Sequence, residues 1–119
     1  MLTIRVENLN ELAVVECKGR IIRSDSVYKL RDVVMAQESP TIVLDLSEVQ
    51  AIGGGGLGML ALLDRWAHRH DVHLKLFSPS KAVVDGLEQN RSMSSFEIAS
   101  FHEMMGLLSR SEAQYSLAA

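Results

Sequence analysis

Residues 41–58 decide the fold of this 119-residue chain and read TIVLDLSEVQAIGGGGLG. Aliphatic and β-branched side chains fill residues 41–46 almost without a break, which is typical of a central strand buried on both faces. Polar and mixed residues 47–52 separate that strand from five glycines among residues 53–58. Apolar side chains then recur at helical spacing as far as Ala67. The stretch predicts a buried strand, a glycine-rich turn and an amphipathic helix.

The residues before this stretch predict two strands and a helix. Apolar and polar side chains alternate over residues 2–7 and again over about 12–18, and the short joint between the two runs predicts an antiparallel hairpin. A helical stripe follows, for which Ser24 or Asp25 is the expected cap. Pro40 ends that segment.

The residues after the stretch predict two more strands and two more helices. Alternation over residues 72–76 indicates a strand, and Ser78–Pro79 indicates a helix start with serine as the cap. A short strand at residues 96–98 follows, and a capping box over Ser100–Glu103 begins a C-terminal helix. The expected packing stripe of that helix consists of Phe101, Met104, Met105 and Leu108.

The predicted order of elements is β-β-α-β-α-β-α-β-α. Strands joined through helices are expected to be parallel, with right-handed crossovers. We predict a single α/β domain over residues 1–110. Its mixed sheet has four to five strands, the N-terminal hairpin antiparallel and the remainder parallel, packed against about four helices. Residues 111–119 are predicted to form a C-terminal tail that frays.

Composition argues against several classes of function. A net charge of −3 and scattered basic residues argue against a nucleic-acid partner, because duplex binding depends on clustered Lys and Arg. The N-terminus lacks the features of a signal peptide, and the apolar residues 51–63 fall short of the roughly 20 that cross a membrane. We expect a cytoplasmic protein without membrane insertion. The single cysteine, Cys17, is expected to be a small buried side chain.

No constellation of residues predicts catalysis, a cofactor or a metal site. His68 and His70 are two apart on a helix and therefore point in different directions, while His73 lies on the next strand without ligands to complete a site. Asp45, at the end of a strand, is more typical of a structural acceptor for loop amides than of a catalytic base. We expect no enzymatic activity, no cofactor and no bound metal.

The glycines suggest a binding site at the carboxyl end of the strand, where a helix N-terminus presents unpaired amides suited to an anion. A nucleotide is one alternative, since Gly53, Gly55 and Gly58 fit the spacing G-x-G-x-x-G. Against it, residues 47–52 separate the strand from the turn, and no lysine follows as in a P-loop. A tight loop with positive φ angles explains two or three of the glycines. Such a loop is expected to be mobile until it binds a partner.

The run from Ile42 to Ile52, followed by Gly56-Leu57-Gly58, resembles the signature of the anti-sigma factor antagonists of the STAS family. In that family a hydrophobic strand ends in Asp-Leu-Ser and continues through an Asp-Ser-Ser-Gly-Leu-Gly-type turn into a helix. Gly19-Arg20-Ile21 also resembles the Gly-Arg-Leu turn that precedes the first helix of the family. The similarity extends over about residues 2–108.

The resemblance implies a binding surface gated by phosphorylation, in which an anti-sigma kinase binds the turn and phosphorylates the serine after the aspartate. Here Gly53 stands in place of the aspartate and Gly54 in place of the acceptor serine, so the usual modification cannot occur at Gly54. Ser47 is the predicted alternative phosphosite. Further hydroxyls that could accept phosphate are those of Ser24, Ser26 and Ser78.

Three functions remain open on this interpretation. The leading hypothesis is a protein-interaction module that binds an anti-sigma kinase or related regulator. Its predicted contact residues are Gly53, Gly54, Gly55, Gly56 and Leu57. One alternative is a STAS scaffold subunit of a transporter or stress-sensing complex, and another is a domain that binds a small ligand or nucleotide at the turn. A homodimer is considered as well.

Overall fold

A computed structural model describes residues 1–90 and 96–118, with side chains described as far as Arg110. Its strands and helices follow the predicted order. They are β1 (Leu2–Leu9), β2 (Leu12–Ile21), α1 (Ser24–Met35), β3 (Thr41–Ile52), α2 (Gly54–Arg69), β4 (His73–Phe77), α3 (Lys81–Gln89), β5 (Glu97–Ala99) and α4 (Phe101–Ala118).

The five strands form one mixed sheet in the order β1-β2-β3-β4-β5. β1 and β2 are antiparallel, and each later pair of neighbours is parallel, as the sequence predicted. The hairpin turns through Asn10 and Glu11, and Asn10 has a left-handed φ of 53°, which suits a two-residue turn. β3 lies at the centre, and Ile42, Val43 and Leu44 are fully buried on alternating faces.

The two faces of the sheet carry cores of different size. Apolar side chains of α1, α2 and α3, such as Leu30, Leu63 and Leu87, pack with Val15 and Leu44 into the main core. A smaller cluster on the opposite face joins Met104 of α4 to Leu12, Val14 and Val43. Three helices therefore cover one face, and α4 covers part of the other.

β3 is longer than predicted and leads straight into the glycines. Residues 47–52, interpreted from the sequence as a connection, pair with β2 through register shifts near Lys18 and Arg20. β4 pairs with β3 only as far as Asp45, so the later part of β3 has one strand neighbour and tolerates polar side chains. Residues 19–21 were expected to form a turn. They are instead the end of β2, because they pair with the later part of β3.

Two predicted helix caps are wrong. The N-cap residue of α1 is Arg23, whose side chain makes no cap hydrogen bond, and Asp25 lies inside the first turn, where its Oδ1 accepts from Ser26 N–H at 3.0 Å. α3 begins after Ser80, whose hydroxyl accepts from Val83 N–H at 3.4 Å and donates to Val49 O at 2.6 Å. The Ser80 hydroxyl therefore caps α3 and joins it to β3.

The capping box of α4 is confirmed, because Glu103 N–H donates to Ser100 Oγ at 3.1 Å and Ser100 N–H donates to Glu103 Oε1 at 3.4 Å. Its packing stripe is only half correct. Met104 is buried, whereas Phe101 is 72% exposed and Met105 is 48% exposed. Residues 104, 107 and 108 form the contact stripe instead. The backbone is helical to Ala118, Ala119 lies outside the described residues, and the domain boundary at residue 110 stays a prediction.

Candidate functional site

The first turn of α2 consists of the glycines that follow β3. Gly53 is the N-cap residue with extended backbone (φ −98°, ψ 180°), and its N–H donates to Ile21 O at 3.0 Å. Leu57 N–H donates to Gly53 O at 3.0 Å. No glycine among residues 53–58 has a positive φ. The expected loop of left-handed glycines is therefore wrong, because the chain passes from strand to helix without one.

Gly56 is buried where α2 crosses the ends of β2 and β3. A Cβ at this residue would lie 2.7 Å from Ile21 O, 2.7 Å from Ile52 Cγ1 and 2.9 Å from Ile21 Cγ2. One of these neighbours is a backbone oxygen held in the sheet, so it cannot move aside cheaply. The close approach of helix and sheet therefore requires glycine at residue 56.

The other glycines of the run meet no such restriction. A Cβ at Gly54 or Gly58 would find no atom within 4 Å. At Gly53 and Gly55 the nearest atoms would be 3.8 Å and 3.9 Å away, which is ordinary van der Waals contact. Packing therefore does not explain the absence of side chains at these four positions.

The space around each glycine does not match the spacing G-x-G-x-x-G of the dinucleotide fingerprint. One objection from the sequence has to be withdrawn, since β3 runs to Ile52 and meets the turn directly. However, the third glycine of that motif serves close helix–strand packing, and its counterpart Gly58 faces open space. The close contact with the sheet is made by Gly56, which is not one of the three glycines of the motif. The arrangement therefore does not support nucleotide binding.

The N-terminus of α2 is exposed and uncapped. No side chain makes a cap hydrogen bond there, and the first turn carries no acidic residue. The amides of Gly54, Gly55 and Gly56 have no acceptor among the described residues. Gly54 and Gly55 are exposed, while Leu57 is half-buried and would touch a Cβ added at Gly86 of α3. Unpaired amides and the helix dipole give this end a partial positive charge.

A shallow apolar groove of about 380 Å³ lies beside these glycines, between α1 and α2. Three of its large apolar side chains are exposed: Ile22 at 46%, Tyr28 at 52% and Leu62 at 37%. The lining residues are Ile22, Ser24, Val27, Tyr28, Gly55, Gly58, Met59 and Leu62. We call this surface, together with the first turn of α2, the α1–α2 groove.

Sequence reasoning missed the exposed apolar residues of this groove. Tyr28 falls outside the helical stripe of Val27, Leu30 and Val34, which was a usable signal that it points away from the core. Leu62 belongs to the apolar run up to Ala67 that predicted an amphipathic helix, and periodicity alone does not show where the neighbouring helix ends. Only the packing of α1 beside α2 brings these side chains together.

The charges around the groove differ from those of the whole chain. Residues 19–35 contain four basic side chains and two acidic ones, and residues 53–63 contain no charged side chain, although the chain carries −3. Arg23 lies 3.5 Å from Asp25, and Arg31 lies 2.9 Å from Asp32 and 4.9 Å from the centre of the Tyr28 ring. The residues that line the groove are therefore uncharged, and two neighbouring arginines are paired with aspartates.

Ser47 is not part of this surface. Its hydroxyl donates to Asp45 Oδ1 at 2.7 Å, and its N–H donates to the same oxygen at 3.0 Å. Asp45 thus accepts local backbone and side-chain hydrogen bonds, as the structural interpretation predicted. Gly54 follows Ser47 by seven positions along extended chain, which is about 20 Å at the usual rise per residue.

The cysteine and histidines take structural positions. Burial, with a smaller contribution from Asp45, raises the pKa of the Cys17 thiol to about 12, so the thiol stays protonated. His68 Nδ1 lies 2.8 Å from Asp64 O, and His70 Nδ1 lies 2.8 Å from Trp66 O. Within residues 1–90 and 96–110, no three potential ligands are grouped to hold a metal ion. No helix in the described part of the chain has the length and apolar character to cross a membrane.

Comparison with solved structures shows what this fold is similar to. The anti-sigma factor antagonist SpoIIAA in its unphosphorylated form matches with a TM-score of 0.69 and 15% identity, over 87% of this chain and 93% of that one. An anti-sigma factor antagonist from Mycobacterium paratuberculosis matches with a TM-score of 0.69 and 20% identity, over 91% and 94%. SLC26A9 matches with a TM-score of 0.61 and 15% identity, over 91% of this chain and 21% of that one.

Comparison with curated proteins gives no significant match. The model of the STAS domain family matches residues 3–112, which is nearly the whole chain. The mixed five-stranded sheet and its helices agree with the STAS-like structures just described. The chain belongs to the STAS domain family.

Proposed function

We propose that this chain is a non-catalytic protein-interaction module of the anti-sigma antagonist type, acting in the cytoplasm. Its partner is an anti-sigma factor of the kinase class or a related regulator, bound at the α1–α2 groove. The observation that carries the proposal is the exposed, uncapped first turn of α2 next to an apolar groove.

The groove has the composition of a binding surface. Protein interfaces concentrate their binding energy in a few aromatic and apolar residues at the centre, surrounded by polar positions. Tyr28 supplies a rigid aromatic side chain with a polar tip, and Ile22 and Leu62 supply aliphatic area on either side. The free amides of Gly54 and Gly55 add backbone donors that a partner side chain can satisfy.

The absence of side chains at Gly53 and Gly54 makes the turn accessible to a partner backbone. A Cβ at residue 54 would meet no atom within 4 Å, so glycine there is a chemical difference from the family signature and not a steric necessity. On this proposal the first turn of α2 binds its partner without being modified at residue 54.

The proposal is tested by measuring binding to each purified anti-sigma factor of the same organism. We expect Tyr28→Ala and Leu62→Ala to raise the Kd of the complex by about tenfold or more, because both lie in the groove. The matched controls are Phe101→Ala and Met105→Ala, which remove exposed apolar side chains on α4 and should change the Kd by less than about twofold. Equal effects at the two surfaces, or no complex with any anti-sigma factor, would contradict the proposal.

A scaffold subunit of a larger assembly is the second candidate function. It is favoured by the match to SLC26A9, of which the aligned region is only a part, and by the glycine at residue 54. SLC26 transporters include a STAS domain. A scaffold should form a stable stoichiometric complex that persists in ATP. Size-exclusion mass measured with candidate partners, with and without ATP, distinguishes it from a switch that releases its partner.

A further inference from the structure

We propose that Ser24 is the phosphorylation site of this protein, taking over a role that Gly54 cannot perform and that Ser47 is poorly placed to perform. The inference rests on the proposed function, because it requires a bound kinase. The donor is a nucleoside triphosphate held by that kinase, and the acceptor is Ser24 Oγ.

Ser24 is the exposed serine of the α1–α2 groove. It is the first residue of α1 and lines the groove together with Gly55 and Gly58. Its hydroxyl makes no hydrogen bond to any described residue. A free, exposed hydroxyl at a partner-binding surface is what a kinase requires of its substrate.

The other serines discussed above are less suitable. Ser47 Oγ is engaged with Asp45, and Ser80 Oγ with Val49 O. Ser100 Oγ accepts from Glu103 N–H in the capping box, and Ser26 is buried. None of these four lines the groove, and neither does Ser78, which is exposed in the loop before α3.

Residues 22–27 and the first turn of α2 form one continuous surface. A Cβ at Gly53 would lie 3.8 Å from Ile22 Cα, and a Cβ at Gly55 would lie 3.9 Å from Val27 Cγ2. Because an ordinary protein interface covers about 800 Å² on each partner, a protein docked on the first turn of α2 also covers the start of α1. Ser24 therefore lies within reach of whatever binds the glycines.

The transfer needs no group from this chain other than the hydroxyl. A base on the kinase takes the Ser24 Oγ proton as Oγ forms a bond to the γ-phosphorus. The bond from that phosphorus to the β–γ bridging oxygen breaks, and nucleoside diphosphate leaves. The products are phosphoserine, nucleoside diphosphate and a proton.

A phosphate at Ser24 would be tolerated by the fold but would change the groove. The first turn of α1 carries the partial positive charge of a helix N-terminus, and the exposed Arg23 side chain, which lies 3.5 Å from Asp25, is adjacent in sequence. The modification adds a charge of about −1.5 to −2 and a strongly hydrated group to the edge of an apolar surface. Binding of a partner through Ile22, Tyr28 and Leu62 then requires removal of that hydration, so phosphorylation should release the partner.

The test is to incubate the chain with purified anti-sigma kinases of the same organism and ATP, and to locate phosphate by mass spectrometry. We expect phosphate on Ser24 in the wild type, its loss in Ser24→Ala and its retention in Ser47→Ala. In a binding assay without ATP, Ser24→Glu should raise the Kd by about tenfold, and Ser47→Glu should leave it within about twofold.

Phosphate on another residue, or none on a wild-type chain that binds the kinase, would overturn the assignment of Ser24 and leave the proposed function standing. No binding to any anti-sigma kinase would overturn both. Circular dichroism of Ser24→Ala and Ser24→Glu establishes that the variants are folded, as expected for an exposed position.

Discussion

Helices α2 and α3 begin at the same end of the sheet, but only α3 has a side-chain cap at its N-terminus. At α3, Ser80 accepts from Val83 N–H and donates to Val49 O, so the cap satisfies the helix and attaches it to β3. At α2, Gly53 has no side chain, and the next three amides have no acceptor among the described residues. The difference indicates that the N-terminus of α3 is a structural attachment to β3, whereas the N-terminus of α2 is a surface open to a partner.

The same contrast recurs inside the glycine run. Gly56 is required by the close approach of α2 to Ile21 O, while Gly54, only two residues earlier, faces open space. One glycine therefore serves the fold and the other leaves the surface accessible. Substitutions at the two positions should separate stability from binding.

The largest effect is expected at Gly56. Gly56→Ala places a Cβ 2.7 Å from Ile21 O and should lower the free energy of unfolding by about 3 kcal/mol, because the backbone has to shift. Urea denaturation measures this. The matched control is Gly58→Ala, which has open space and should not lower stability; if the two variants were equally stable, the steric argument would be wrong.

The next largest loss of stability is expected at Ser80, which caps α3. Ser80→Ala removes a helix cap and the hydrogen bond to Val49 O, and should lower the free energy of unfolding by about 2 kcal/mol. Ser78→Ala, in the loop before it, should change stability by no more than about 0.5 kcal/mol. A larger loss at Ser78 would restore the cap position indicated by the sequence.

A smaller effect of opposite sign is expected at Gly54. Gly54→Ala should raise the free energy of unfolding by about 0.5 kcal/mol, because alanine loses less backbone entropy than glycine in a helix and meets no atom here. The same variant should weaken binding of the partner. A variant that gained stability and kept full affinity would show that the partner does not contact this turn.

The smallest effect is a pH dependence away from both helix ends. The hydrogen bond from Lys75 Nζ, at 2.7 Å, holds the pKa of the Glu97 carboxyl below its usual 4.5. A lowered folded-state pKa contributes stability above the unfolded-state value, and that contribution is lost as the pH falls through the folded-state pKa. Because the pair is partly exposed, the loss should be about 0.5 kcal/mol or less.

Glu97→Gln tests this by urea denaturation between about pH 5 and pH 3, where it should flatten part of the acid dependence. Since the first turn of α2 has no acidic residue, Gly54→Ala should leave that dependence unchanged. An identical acid dependence in Glu97→Gln and the wild type would show that the Lys75–Glu97 ion pair does not contribute to stability.

Local patterns in the sequence were sufficient for the hairpin, the buried centre of β3 and the capping box, because each depends on residues close in the chain. The full length of β3 was not predictable, since residues 47–52 are strand through irregular pairing with β2, which is distant in the sequence. The special status of Gly56 depends on the carbonyl of Ile21, which comes beside it only in the folded chain. The groove was missed for the same reason, as its exposed residues come from separate elements.

The most direct test of the account is amide hydrogen exchange in the free chain and in its complex with an anti-sigma factor. In the free chain, the amides of Gly54 and Gly55 should exchange rapidly, and those of Val83 and Glu103 should be slower because Ser80 and Ser100 accept from them. On binding, Gly54, Gly55 and the neighbouring groove should become protected while Val83 and Glu103 do not change. Protection confined to α3 or α4, with the glycine amides still exchanging rapidly, would contradict the central claim.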